Sequence, residues 1–344
     1  PEAQEAVIAA LAEVHDNIIV VLSAGSPIEM PWEGDVKAIV HGYLGGQAGA
    51  SAMLNILTGE VNPSGRLNET YPIHCEDTPA FAYYPSKERN SEYRESLYVG
   101  YRYYTTVAKK VRFPFGYGLS YTNFEYSNIK ANEQEVRFMI KNIGKRAGAD
   151  VPQLYISKSS NTVFRPLREL KGFAKVELEP GEEKEVVISF DDKTFRFFDV
   201  RTNSWEIENG TYQIQIGKNA NEIVLTTDIS ITGTIKDGRY TKTAMPSYFS
   251  GKIENVNDKE YESLYGKDIP DGSWGGLIGI NDAFCQFYYA KSGFCRLVYK
   301  ILTKKLNEVS LSGISAKRAV FFSPSEYKSS SSVIVSEDKL FKLN

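Results

Sequence analysis

Residues 2–14 place Ala3, Val7, Ile8, Leu11 and Val14 at helical spacing with charges on the other face, which predicts an amphipathic helix. Asn17 to Ser23 (NIIVVLS) follows as a short, nearly continuous apolar run bounded by Gly25 and Pro27, the pattern of a strand buried on both faces of a parallel sheet. A second run, Val36 to Leu44, precedes Gly45-Gly46 and a helical stretch from Gln47 to Leu57. Strand, loop, strand, helix predicts an α/β layer. Asn62-Pro63-Ser64-Gly65 reads as a tight turn with glycine relieving a positive φ, and Arg66 to Tyr71 as one further strand. Thr78 to Thr122 shows no sustained period and predicts a long covering segment with short strands.

At Phe124 the pattern changes to alternation. Val136–Ile140, Gln153–Ile156, Glu185–Phe190 and Thr211–Gly217 are short β runs separated by Gly, Pro and Asn, at spacings that suit an all-β immunoglobulin-like sandwich. Beyond residue 233 the chain opens as a polar linker. Phe284, Phe287, Tyr288, Phe294, Val298, Ile301 and Leu302 then recur at helical spacing over 282–306, and a serine run occupies Ser329 to Ser332. The resulting division is a partial α/β domain over 1–122, a β-sandwich over 123–233, and a linker with a helical extension over 234–344.

Composition narrows the function classes. Forty basic against 43 acidic residues give a net charge of −3, so the chain lacks the basic footprint of a nucleic-acid binder. No apolar run approaches the ~20 residues of a membrane span. Cys285 and Cys295 lie ten apart, about 15 Å along a helix carrying both, beyond disulfide reach. Few cysteines favour the cytoplasm. His15, His41 and His74 are not at ligand spacing, which argues against zinc, and no phosphate-binding loop, dinucleotide fingerprint or nucleophile elbow is present. Pro1 in place of a methionine, leading straight into a helix, predicts that the chain begins inside a larger protein.

Six strings carry a resemblance. AGSPIEMPW (24–32), YLGGQAGASAMLNILTGEVNPSGRL (43–67), EYRESLYVGYRYY (92–104), FPFGYGLSYTNFEY (113–126), NIGKRAGADVPQLYI (142–156) and FRPLRELKGFAKVELEPGE (164–182) resemble, in order and spacing, glycoside hydrolase family 3 of the β-glucosidase and β-xylosidase group. The resemblance covers about residues 1–233. It implies that 1–122 is the later part of the family's α/β-sandwich domain and that 124–233 is its fibronectin type III-like domain. It also implies a retaining hydrolysis of β-glucosides or short β-linked oligosaccharides, in which paired carboxylates act as nucleophile and acid/base without metal or organic cofactor. In the family the nucleophilic Asp belongs to a (β/α)8 barrel, which needs ~250 residues and has no counterpart here. The acid/base Glu belongs to a Gly-Glu-x-x-Asp-Arg-like stretch, also without a copy. Both catalytic carboxylates are therefore expected to be missing, and a non-catalytic carbohydrate-binding or scaffolding protein built from the same domains is the alternative.

The ligand crevice of an open α/β sheet lies beyond the carboxyl ends of its strands. The loops 24–32 and 42–47 leave from those ends and offer Ser26, Glu29 and Gln47 as hydroxyl-binding groups and Trp32 as a stacking ring, although Trp32 equally suits covering a tight turn. Glu92 and Glu95 are the acid/base candidates, against ion pairing with Arg94 or Arg102. Tyr93, Tyr98, Tyr101, Tyr103 and Tyr104 either rim a sugar site or seal this domain against its neighbour. Residues 113–121 read as an inter-domain hinge. Arg165, Arg168, Glu169 and Lys171 read as a surface charge network, with Leu170 and Phe173 pointing inward. The helical stretch of the tail, flanked by Lys300, Lys304 and Lys305, suits core packing, a homo-oligomeric contact or an anionic membrane surface.

Overall fold

The computed structural model describes residues 2–84, 90–160, 162–199, 202–235, 240–272, 275–280 and 282–311, the last six as backbone alone. The chain forms two compact units, one over Asp16–Ser86 and Ser91–Pro270, the other gathering Pro1–His15, Lys87–Asn90 and the residues from Asp271 on. Helix α1 (Glu2–Ala12) opens the smaller unit.

In the larger unit, β1 (Ile19–Leu22) and β2 (Ala38–His41) pair in parallel with Ile19 opposite Ala38 and Leu22 opposite His41, and α2 (Gly49–Thr58) comes next. The predicted double-sided burial of the first strand does not occur. Ile19 and Val21 are 52% and 47% exposed, because the sheet has two strands and one β1 face lies open among the described residues. Residues 62–67 run without a turn and Gly65 does not take a positive φ, so the expected tight turn is absent. Its place is taken by side-chain bonding: Asn62 Nδ2 donates to Ala147 O (2.9 Å), while Oδ1 accepts from Ser120 Oγ (2.9 Å) and Tyr121 N (2.7 Å). The strand expected over 66–71 shrinks to β3 (Tyr71–Pro72), paired antiparallel with β4 (Val111–Phe113). Between them lies a short helix that the pattern did not announce, α3 (Tyr101–Thr106). It buries Tyr101, Tyr103 and Tyr104, and those ring contacts hold a helix too short to be stable alone.

The sandwich consists of two antiparallel sheets. One orders β11 (Glu183–Ser189), β6 (Glu135–Asn142) and β5 (Phe124–Ala131); the other orders β15 (Ile223–Ile231), β14 (Gly210–Gly217), β8 (Gln153–Ser157) and β9 (Glu169–Phe173). Short pairs β7 (Gly148–Asp150) with β10 (Val176–Leu178), and β12 (Arg196–Asp199) with β13 (Ser204–Ile207), complete it. Alternation along β6 and β11 turns Val136, Phe138, Ile140, Val186 and Ile188 to the shared core, where they meet Leu154, Ile156, Tyr212, Ile214 and Ile216. Each such side chain contributes about 1.5–3 kcal/mol of transfer free energy. The turn into β11 carries Pro180 and then Gly181 at φ 80°, where a side chain would be strained.

Phe173 does not point inward. It ends the edge strand β9 and is 67% exposed, while Leu170 packs with Tyr101 and Tyr155. The expected surface charge network is largely buried: Arg165 pairs with Glu208 (3.3 Å), and Arg168 donates to Ala220 O, so burial lowers the basicity of Arg168 and of Lys171.

The segment after the sandwich is not a loose linker. Residues 240–265 include α4 (Pro246–Ser250) and α5 (Asp258–Tyr265) and enclose a core with Tyr98, Tyr103, Tyr104 and Phe164, to which they add Met245, Tyr248, Ile253 and Val256. Tyr98 and Tyr103 hydroxyls donate to Tyr248 O and Glu254. Tyr98, Tyr103 and Tyr104 therefore seal a junction, while Tyr93 stays exposed. Residues 113–121 also differ from a hinge, being pinned on both sides by Gly116 N to Leu67 O (2.7 Å), Ala220 N to Phe115 O (3.0 Å) and Gln153 Nε2 to Gly116 O (3.0 Å).

In the smaller unit the single helix expected over 282–306 is broken into a 3₁₀ turn, Phe284–Tyr289, and α6 (Gly293–Leu311). Lys291 N bonds back to Gly276 O (2.8 Å), and Ser292-Gly293 lies at the break, where glycine weakens helical continuity. The serine run at 329–332 falls outside the described residues.

Candidate functional site

The crevice end of the parallel pair is built by the loops that leave Leu22 and His41. In loop 24–32, Met30 and Trp32 are buried and anchor the loop, so Trp32 covers the turn and its ring is not free to stack on a sugar. Ser26 and Glu29 remain exposed. Glu29 is already engaged: Oε1 accepts from Cys75 N (2.6 Å), and Oε2 lies 3.8 Å from His74 Nδ1. Gln47 is exposed on the loop after β2. That loop bends sharply. A side chain on Gly45 would come within 2.9 Å of Gly49 Cα, and Tyr43 sits at φ 49°, an uncommon conformation for a residue with a side chain.

The group holding that bend is not announced by the sequence pattern. His41 Nε2 lies 2.6 Å from the Tyr71 hydroxyl, and its ring packs on Tyr43 with centroids 3.9 Å apart. Ser23 Oγ donates to Tyr43 O (3.1 Å) and Asn68 N to the Tyr43 hydroxyl (3.4 Å). Burial lowers the pKa of His41 and raises that of Tyr71, so both groups favour their uncharged forms and share one hydrogen bond. The one local signal is a histidine closing an apolar strand, two residues before an aromatic.

The acid/base candidates lie elsewhere. Glu92 accepts from Arg94 Nε (2.6 Å), and the same guanidinium donates to Val256 O (2.8 Å) and Asp258 (2.6 Å) between the rings of Tyr83 and Tyr261. Glu92 is thus an ion-pair partner of Arg94, whose guanidinium in turn reaches Asp258 on α5. Glu95 is buried, and its carbonyl accepts from Tyr98 N (2.9 Å) beside Ser96 at φ 50°. Among the described residues no hydrogen bond, ion pair or ring contact joins Glu92 or Glu95 to Ser26, Glu29, Trp32 or Gln47, and no group of three or more His, Cys, Asp or Glu is arranged to hold a metal ion. Retaining hydrolysis needs two carboxyl groups about 5–5.5 Å apart. The groups gathered here can orient hydroxyls and shape a wall.

A second feature ties this end to the sandwich. Arg66 Nη2 pairs with Asp150 Oδ1 at 2.5 Å, with side chains 12% and 4% exposed. Tyr126 donates to Asp150 Oδ2 (2.7 Å) and Val151 N to Oδ1 (2.8 Å).

Comparison with known proteins gives this geometry a context. Residues 1–121 match the glycosyl hydrolase family 3 C-terminal domain and residues 150–220 a fibronectin type III-like domain. The chain is 44% identical over 244 residues to thermostable β-glucosidase B of Acetivibrio thermocellus, covering 69% of this chain and 32% of the relative. The crystal structure of β-glucosidase from Kluyveromyces marxianus in complex with glucose superposes with a TM-score of 0.64 at 36% identity, over 67% of this chain and 29% of that one. The Bifidobacterium adolescentis family 3 β-glucosidase superposes with a TM-score of 0.66 at 29% identity over 87% of this chain and 39% of that one, more than residues 1–233 can supply. The chain spans about a third of the length of the curated relative it matches.

Proposed function

The chain belongs to glycoside hydrolase family 3, and from that premise we propose that it is the non-barrel part of a retaining β-glucosidase-like hydrolase acting on β-glucosides or short β-linked oligosaccharides. The observation that carries this reading is the 44% identity with β-glucosidase B over 244 residues, beside the matches of residues 1–121 and 150–220 to two domains of the family. In it, residues 1–122 form part of the α/β-sandwich domain and 123–233 the fibronectin type III-like domain. The exposed Ile19 and Val21 suit the seating of further parts of that layer. Ser26, Glu29 and Gln47 line one wall of the crevice and Trp32 anchors it. Nucleophile and acid/base are supplied from outside these residues, and the reaction proceeds without metal or organic cofactor. Among the described residues no helix is long and apolar enough to cross a membrane. The unpaired Cys75, Cys285 and Cys295 support a cytoplasmic setting.

A p-nitrophenyl β-glucoside assay on the 344-residue chain tests the division of labour. The expected result is no turnover above buffer. Clear turnover lost on Glu95→Gln would place the acid/base on this chain and refute the reading. Calorimetric binding of glucose or cellobiose by the chain alone, at millimolar affinity or tighter, would favour a carbohydrate-binding protein instead.

A further inference from the structure

The charge of the chain is unevenly distributed. From residue 283 to the end of α6 at Leu311 stand five basic residues, Lys291, Arg296, Lys300, Lys304 and Lys305, against one acidic residue, Glu308, in a protein whose net charge is −3. Most of these lie on α6, whose two faces do different things. Tyr299 is buried and meets the rings of Phe284 and Tyr288 at 5.5 and 5.6 Å, so the inner face rests on the preceding 3₁₀ turn. The outer face carries Phe294, Leu297 and Ile301, which are 74%, 53% and 48% exposed. At about 100° per residue these three fall within about 60° of one another, with Lys300 and Lys304 along one edge and Lys305 along the other. A water-facing helix stripe normally carries polar residues; an apolar stripe bracketed by long cationic side chains is the arrangement of a helix that lies in a lipid interface, its rings and aliphatic groups among the acyl chains and its ammonium groups at the headgroups.

We propose that α6 is an interfacial helix that docks this protein on an anionic membrane surface, through Phe294, Leu297 and Ile301 for insertion and Lys300 and Lys305 for attraction. The segregated positive charge decides for anionic lipid over a second copy of the chain, because two such helices face to face would bring like charges together. Tyr288 and Tyr289, both half-exposed, sit beside the helix, where amphipathic rings suit the headgroup level.

Co-sedimentation of the 344-residue chain with phosphatidylcholine vesicles, with and without phosphatidylserine, tests the proposal. The chain should sediment only with the serine-containing vesicles and less at high salt. Leu297→Asp with Ile301→Asp should abolish sedimentation, and Lys300→Gln and Lys305→Gln should weaken partitioning roughly fivefold per charge removed. The helical circular dichroism of each variant in solution serves as the folding control. Absence of sedimentation, equal sedimentation with neutral vesicles, or indifference to the double Asp substitution would overturn the proposal. So would a concentration-dependent doubling of mass that the same substitution removes, which would assign the stripe to a contact between copies.

Discussion

Replacing Arg66 with alanine should unfold the larger unit well below the wild-type temperature. The guanidinium is nearly enclosed and pairs at 2.5 Å with a carboxylate only 4% exposed. Without it, Asp150 keeps the hydrogen bonds from Tyr126 and Val151 but becomes a buried charge with no counter-charge in contact. Breaking one side of a buried pair costs about 3–5 kcal/mol. At roughly 2–4 °C per kcal/mol for a unit of this size, the melting temperature should fall by about 6–20 °C. Adding Asp150→Asn to Arg66→Ala removes the stranded charge and should recover part of that loss, since a pair deleted on both sides leaves no buried ion behind. Thermal unfolding followed by circular dichroism on the wild type, both single variants and the double variant provides the cycle. A fall under about 2 °C for Arg66→Ala, or losses that simply add in the double variant, would show that the pair does not couple the two segments and that the reasoning from burial is wrong.

Two further outcomes are expected, one from sterics and one from titration. Gly116 holds φ 80°, and a Cβ there would lie 2.1 Å from Gln153 Oε1, so Gly116→Ala should reduce soluble yield and lower the urea midpoint, whereas Gly34→Ala, with open space around it, should not. His41 has a pKa lowered by burial, so the unfolded state binds the proton more readily and stability falls as pH drops below about 6.5; melting temperatures between about pH 7 and 5 should decline more steeply for the wild type than for His41→Gln, and parallel curves would refute the neutral-imidazole assignment.

The sandwich strands were legible because one face of each is buried and the other wet, so a period of two is written directly into Val136–Ile140 and Thr211–Gly217. The parallel pair was legible as strands but not in its burial, which depends on what covers Ile19 and Val21 rather than on the strand itself. Asn62 looked like a turn residue because its backbone neighbours are turn formers, yet its amide reaches Ala147 across 85 positions of sequence. The same distance effect hid the His41–Tyr71 contact, whose partners stand 30 apart, and the burial of Arg165, which awaits Glu208. Ser26, Glu29 and Gln47 could be placed by topology alone, because the rule about strand ends needs only chain direction; that Trp32 faces inward depended on packing that no local pattern encodes.

The closure of Tyr98 and Tyr103 by Tyr248 and Glu254 also sets a schedule for synthesis. Tyr98 meets its carbonyl partner only 150 residues later in the chain, which at about 5–20 residues per second is a wait of roughly 8–30 s. The sandwich strands between them can pair in that interval, while several aromatic side chains stay uncovered until the ribosome has delivered Val256. A message or nascent chain cut short between residues 232 and 256 would therefore release a folded sandwich with an open aromatic seam, a natural target for chaperones and proteases.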